Sequence, residues 1–174
     1  PERMRLETMA SVSSPAGPRR PWVLPATFLG AFVLFAIPVG GEWKSYMPAW
    51  VTLVLIYWCL AAPQKISLGT GWLIGLALDL LVFGLLGRYA LTKTLITYLT
   101  RRVALRVRVY PVWQQSVFVF MLLTLESVIL LAIEYLIEGN TPELGRWRAL
   151  AVGAALWPFI FYFLRHCRRW SRLP

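Results

Sequence analysis

Between Pro48 and Leu91 the chain reads PAWVTLVLIYWCLAAPQKISLGTGWLIGLALDLLVFGLLGRYAL, two apolar runs joined by the short basic turn Ala62-Pro63-Gln64-Lys65. Each run reads as a crossing of a bilayer, and the second carries a carboxylate, Asp79, among glycines. A charge at that depth costs at least ~2.5 kcal/mol even on the mildest insertion scale, so it requires a partner or a role. The pattern predicts an integral membrane protein whose chemistry resides in a few buried polar groups.

Composition agrees, because 58% hydrophobic residues over a 174-residue chain leave no polar surface for a soluble fold. A net charge of +10 invites a nucleic-acid reading. The arginines, however, cluster between apolar runs and do not line one face beside stacking aromatics. They read as topology determinants that also attract anionic lipid headgroups. Cys59 and Cys167 offer neither a metal spacing nor a disulfide framework, and no cofactor is implied.

A spanning helix needs ~20 mostly apolar residues. Six segments come near this: Trp22–Gly41, Pro48–Ala62, Gly69–Gly87, Arg88–Leu105, Val112–Ile137 and Trp147–Leu164. The expected fold is therefore an all-α integral membrane protein with six transmembrane helices. The fourth segment is impure, since Lys93, Arg101 and Arg102 fall inside it. A helix over Tyr89–Thr100 alone would rise ~18 Å, short of the ~30 Å hydrocarbon core. Either that helix continues through the arginines into the headgroups or it is a short element enclosed by protein.

Residues 1–21 read as an N-terminal cytoplasmic segment, of which 1–8 are appended or precede an alternative start. Residues 22–164 form the membrane domain, and 165–174 a basic cytoplasmic tail. Most Lys and Arg belong to the termini, to Lys65 and to Arg101–Arg108, whereas Lys44, Arg88, Arg146 and Arg148 fall on the other side beside Glu42, Glu138 and Glu143. The positive-inside rule places the first set in the cytoplasm. Trp58, Trp72 and Trp113 then lie near the inner interface and Trp43, Trp50 and Trp147 near the outer one, as interfacial anchors. The segment Val103–Tyr110, VALRVRVY, alternates valine and arginine and reads as an interfacial strap.

Asp79 and Lys93 each lie ~9–12 Å below the turn at Gly87–Arg88, on neighbouring helices. Matched depth and opposite sign predict an ion pair that fixes how the two helices pack; the alternative is that one of them faces a cavity or a partner's helix. Glu126 lies mid-span in the fifth segment, with Glu134 two turns later on the same face and nearer the outer interface. Gly71 and Gly75 form a small-xxx-small pattern, and with Gly84 and Gly87 they mark the third segment for close helix packing, against a partner helix or against the protein's own. There is no HExxH, P-loop, Ser/His/Asp set or metal-spaced cluster, so no enzymatic activity is expected.

Several motifs occur together in order: Pro48-Ala49-Trp50, Leu55-Ile56-Tyr57-Trp58, Ala61-Ala62-Pro63, Gly69–Gly71, Gly75-Leu76 leading to Asp79-Leu80, Leu86-Gly87-Arg88-Tyr89-Ala90-Leu91, and Trp113-Gln114-Gln115. Across residues 20–165 this succession resembles the bacterial rod shape-determining family MreD, closest in style to its gammaproteobacterial members. The resemblance implies a non-catalytic, multi-pass inner-membrane subunit of the cell-elongation (Rod) complex that supports rod shape and peptidoglycan synthesis. The implied partner is MreC, through its membrane helix and periplasmic domain, and indirectly MreB, RodA and a class B penicillin-binding protein. It also implies a fold similar to the substrate-capture subunits of energy-coupling-factor transporters. That likeness supports an alternative function as a small-molecule or lipid-binding transporter subunit.

Overall fold

A computed structural model describes residues 22–38, 40–83, 86–139 and 146–170. The N-terminal segment 1–21, Gly84 and the Glu143 loop lie outside the described residues. All regular structure among the described residues is helical: α1 (Val23–Ala36), a 3-10 segment (Gly41–Tyr46), α2 (Trp50–Ala61), α3 (Leu68–Val82), α4 (Arg88–Val107), α5 (Val112–Glu138) and α6 (Arg146–Trp170). Over Val112–Ile137 and Arg146–Arg169, α5 and α6 are long and apolar enough to cross a membrane, while α1, α2 and α3 are shorter apolar helices.

The short helix α2 is the core of the bundle. Every residue from Val51 to Leu60 is buried. At 1.5 Å per residue its 12 residues rise only ~18 Å, less than a hydrocarbon core. Its all-round apolar sequence is what a helix enclosed by others requires, and α1, α4 and α6 pack around it. The alternative of a short, protein-enclosed element therefore belongs to the second segment and not to the fourth. Trp58 is correspondingly no interfacial anchor: it is fully buried, and its indole N–H donates to Thr27 Oγ1 at 2.9 Å.

Helix α4 runs 20 residues straight through its arginines. Its buried stripe includes Lys93, Ile96, Thr97, Thr100, Ala104 and Val107, at helical spacing. Arg101 and Arg102 lie on the exposed side of the same helix. The hydroxyls of Thr97 and Thr100 donate to the carbonyls of Lys93 and Ile96, each at 2.7 Å, which lets a threonine-rich face enter the core with its polar groups satisfied. The helix extends to Val107, so the VALRVRVY segment is helical over most of its length; Ala104 and Val107 turn inward while Arg106 and Arg108 stay exposed.

Helix ends follow local chemistry. Ile37 leaves α1 in an extended conformation, as a residue preceding a proline must. Ser67 and Thr70 form a reciprocal capping box at the start of α3, the Ser67 hydroxyl accepting the Thr70 N–H at 3.1 Å. Helix α3 ends at Phe83 with φ 50, several residues before the expected limit at Gly87. At the other end of the molecule α6 continues through Arg165 to Trp170, so the basic segment from residue 165 is a continuation of the helix up to that point.

Candidate functional site

Helices α3 and α4 share the most extensive contact in the bundle, and two glycines of α3 make it possible. A Cβ on Gly75 would lie 2.4 Å from both Ala90 Cα and the Tyr89 carbonyl oxygen. One on Gly71 would lie 2.3 Å from Thr97 Oγ1 and 3.1 Å from the Lys93 carbonyl oxygen. The small-xxx-small face of α3 is thus covered by the protein's own α4 and is not open to a partner. Gly87 does something different. Its φ of 106° is a left-handed conformation reserved in practice for glycine, and a Cβ there would meet nothing within 4 Å. It shapes the turn and does not pack.

That turn delivers the start of α4 onto Asp79. One carboxylate oxygen accepts the backbone N–H of Gly87 at 2.9 Å and that of Ala90 at 3.1 Å, and the other accepts the Tyr89 N–H at 3.0 Å. The first turn of any helix has N–H groups without intrahelical partners and the positive end of the helix dipole. Asp79, 1% exposed, supplies the missing acceptors and the complementary charge from the preceding helix. No ion pair between Asp79 and Lys93 forms. The carboxylate is occupied by backbone donors, which a comparison of charged side chains alone leaves out.

Lys93 turns instead toward α2 and α5. Its ammonium donates to Glu126 Oε1 and to Thr52 Oγ1, and the Thr52 hydroxyl donates to Glu126 Oε1 at 3.2 Å. The side chains of Lys93 and Glu126 are 2% and 5% exposed. Lys93 Nζ also lies 5.7 Å from the centroid of the Tyr89 ring. Three helices are tied together at one point in the interior.

A second cluster lies at the end of the bundle where α4 and α6 begin and α5 finishes. Glu134 accepts from Arg146 at 2.8 Å and Arg88 at 3.4 Å, and the Arg88 guanidinium sits 5.0 Å over the Tyr89 ring. The 3-10 segment rests on α6 at the same end, with Arg148 5.7 Å from the Tyr46 ring. Between this rim and the buried pair lies a cavity of about 560 Å³. Thr52, Lys93, Glu126, Ser127 and Arg146 are among its polar lining residues, and Phe35, Met47, Leu130 and Leu150 among its apolar ones.

A second concavity, about 1000 Å³ and almost wholly apolar, runs between α1 and α6, which touch only slightly. Ala26, Gly30 and Ala31 line it from α1, with Phe159 and Phe163 opposite. A Cβ on Gly30 would meet nothing within 4 Å.

Of the residues singled out in the sequence, the fold joins Lys93 with Glu126, sends Asp79 to the α4 terminus, and packs Gly71 and Gly75 against α4. Thr52, Arg88, Glu134 and Arg146 complete the polar groups. Thr52 was detectable as a lone threonine in an otherwise apolar run, and Glu134 by its eight-residue spacing from Glu126. The 1000 Å³ groove had no sequence signal beyond the Ala26-xxx-Gly30 spacing.

Residues 19–167 match the family model for rod shape-determining protein MreD. Among curated proteins, the rod shape-determining protein MreD of Haemophilus influenzae is 32% identical over 149 residues, covering 84% of this chain and 90% of the relative. No solved structure matches the chain.

Proposed function

The chain belongs to the MreD family of rod shape-determining proteins, and from that premise we propose that it acts as a non-catalytic inner-membrane subunit of the elongation machinery, holding the membrane helix of MreC. Its six helices are read as six spans with both termini cytoplasmic. Through MreC it acts with MreB, RodA and a class B penicillin-binding protein to support peptidoglycan synthesis along the cylinder.

The observation that carries this reading is the groove between α1 and α6. In lipid, helices associate through close packing and not through hydrophobic burial, so a docking face needs small residues and unfilled space. Ala26 and Gly30, four residues apart, supply the first, and the open position over Gly30 supplies the second. Of the two alternatives for the Gly71 and Gly75 face, close packing within the protein is the one supported, since α4 already fills it.

Co-purification with tagged MreC tests the proposal. Wild type should retain MreC, and Gly30→Leu should release it while inserting and remaining monodisperse. Retention of MreC by a well-folded Gly30→Leu variant would exclude the groove; failure of wild type to retain it would exclude MreC binding. Orientation is tested separately by cysteine labelling in intact cells. Glu143→Cys should react with an impermeant maleimide without permeabilisation.

A further inference from the structure

Helix α4 carries Arg101, Arg102, Arg106 and Arg108 on the side that its packing leaves exposed. Burial of Thr100, Ala104 and Val107 fixes that rotation. At ~3.6 residues per turn the exposed side has an order: Tyr98 and Leu105 run along its middle, Arg101 and Arg108 flank them on one side, and Arg102 and Arg106 on the other. The four guanidiniums thus share ~10 Å of helix. The Tyr98 hydroxyl accepts from Arg102 at 3.0 Å, and Leu105 is 76% exposed. In the turn that follows, Val109 is 83% exposed, and Gln115 secures the corner by donating its amide N–H to the Tyr110 carbonyl at 3.0 Å. At the other end of the bundle Arg88 and Arg146 share Glu134. Here the chain offers no such acid: it has no Asp or Glu between Asp79 and Glu126, and the ion pairs among the described residues involve Arg88, Lys93 and Arg146 only. Like charges one turn apart, as Arg102 and Arg106 are, repel each other. This face requires an anion from outside the chain.

We propose that the exposed face of α4 from Tyr98 to Val109 is a site for one anionic phospholipid, a phosphodiester without a compensating ammonium, of the phosphatidylglycerol class. Guanidinium matches phosphate oxygens in charge and geometry, two N–H groups to two oxygens. Charge selects within the phospholipids, because a zwitterionic head brings its own cation among four others. The apolar residues select lipid over an acidic protein surface: Leu105 and Val109 stand exposed among the arginines, where acyl chains cover them and a hydrated carboxylate surface does not. Depth agrees. Arg101 to Arg108 lie ~20–30 Å along α4 from Arg88, the level of the inner headgroups across a ~30 Å core. That placement rests on the topology proposed above, which the Glu143→Cys labelling tests by itself.

Native mass spectrometry of the full chain in detergent, titrated with phosphatidylglycerol or phosphatidylcholine of identical acyl chains, tests the site. Wild type should retain one phosphatidylglycerol about tenfold more tightly than phosphatidylcholine. Arg102→Gln combined with Arg106→Gln should bring the two lipids within about twofold of each other. Arg101→Gln with Arg108→Gln serves the same purpose should the first variant fail to fold, with circular dichroism reporting the fold. Arg165→Gln with Arg169→Gln removes equal charge from exposed positions of α6 and should leave the preference intact. Excess inorganic phosphate should not displace the lipid, since it lacks the chains that Leu105 and Val109 meet. Equal retention of the two lipids by wild type overturns the proposal and leaves the face to an acidic protein. An equal loss of preference in the α6 variant also overturns it, by making the effect one of net charge. Displacement by inorganic phosphate does so too, by reducing the site to one for any small anion.

Discussion

Lys93 on α4 and Glu126 on α5 form a buried ion pair across 33 residues of sequence, and Thr52 of the central helix α2 bonds to both. Each charge is neutralised by the other in a place where neither could stand alone. Removing one partner of such a pair strands the other and typically costs ~3–5 kcal/mol, while replacing both with apolar residues of similar volume can be nearly neutral. Lys93→Met and Glu126→Met should therefore each lower thermal stability sharply, and the double variant should recover most of the loss. Thermal denaturation of the four proteins in one detergent checks this; additive losses would show that the pair does not couple.

Asp79→Ala should loosen the start of α4, because three backbone N–H groups lose their acceptor together. A lost cap costs ~0.5–2 kcal/mol, and each buried donor left unmatched adds to that. Asp79→Asn, which keeps one acceptor oxygen, should lose less. Hydrogen exchange at the amides of residues 87–90 reports the effect directly and should accelerate most in the alanine variant. Unchanged exchange there would remove Asp79 from the role of cap.

The two glycines of α3 should respond differently to a methyl group. For Gly71→Ala the nearest obstacle is the Thr97 hydroxyl, so Thr97→Ala in the same chain should restore part of the lost stability. For Gly75→Ala the obstacles are backbone atoms of Tyr89 and Ala90, which no side-chain truncation removes. Overpacking of this kind costs ~1–3 kcal/mol. Melting temperatures of both single variants, each with and without Thr97→Ala, should show rescue of the first alone.

The rim cluster should matter less. The side chains of Arg146 and Glu134 are 31% and 23% exposed, and pairs with that much solvent contribute only ~0–1 kcal/mol. Glu134→Gln should exceed Arg146→Ala in effect, because Glu134 also holds Arg88, whose side chain is 13% exposed. High salt should narrow the difference between wild type and Arg146→Ala, and hardly change that for Lys93→Met. A salt response of equal size in both would contradict the burial of Lys93.

The sequence by itself determined the helices and the depth of each polar group along them. Apolar run length marks a helix, proline and glycine mark where it stops, and the 1.5 Å rise per residue converts position into height. Hence Asp79, Lys93 and Glu126 could be singled out as charges requiring partners, and the six segments each correspond to one observed helix. Which partner each charge takes was decided by the tertiary structure. Height says nothing about rotation round the helix axis or about which helices are neighbours, and Lys93 turns to α5 while Asp79 meets α4. A backbone N–H has no letter in the sequence, so the donors that satisfy Asp79 were invisible there. The same holds for glycine. The spacing of Gly71 and Gly75 announces a close approach, but only the packed chain shows that the approaching helix is α4, because a missing side chain specifies room and not its occupant.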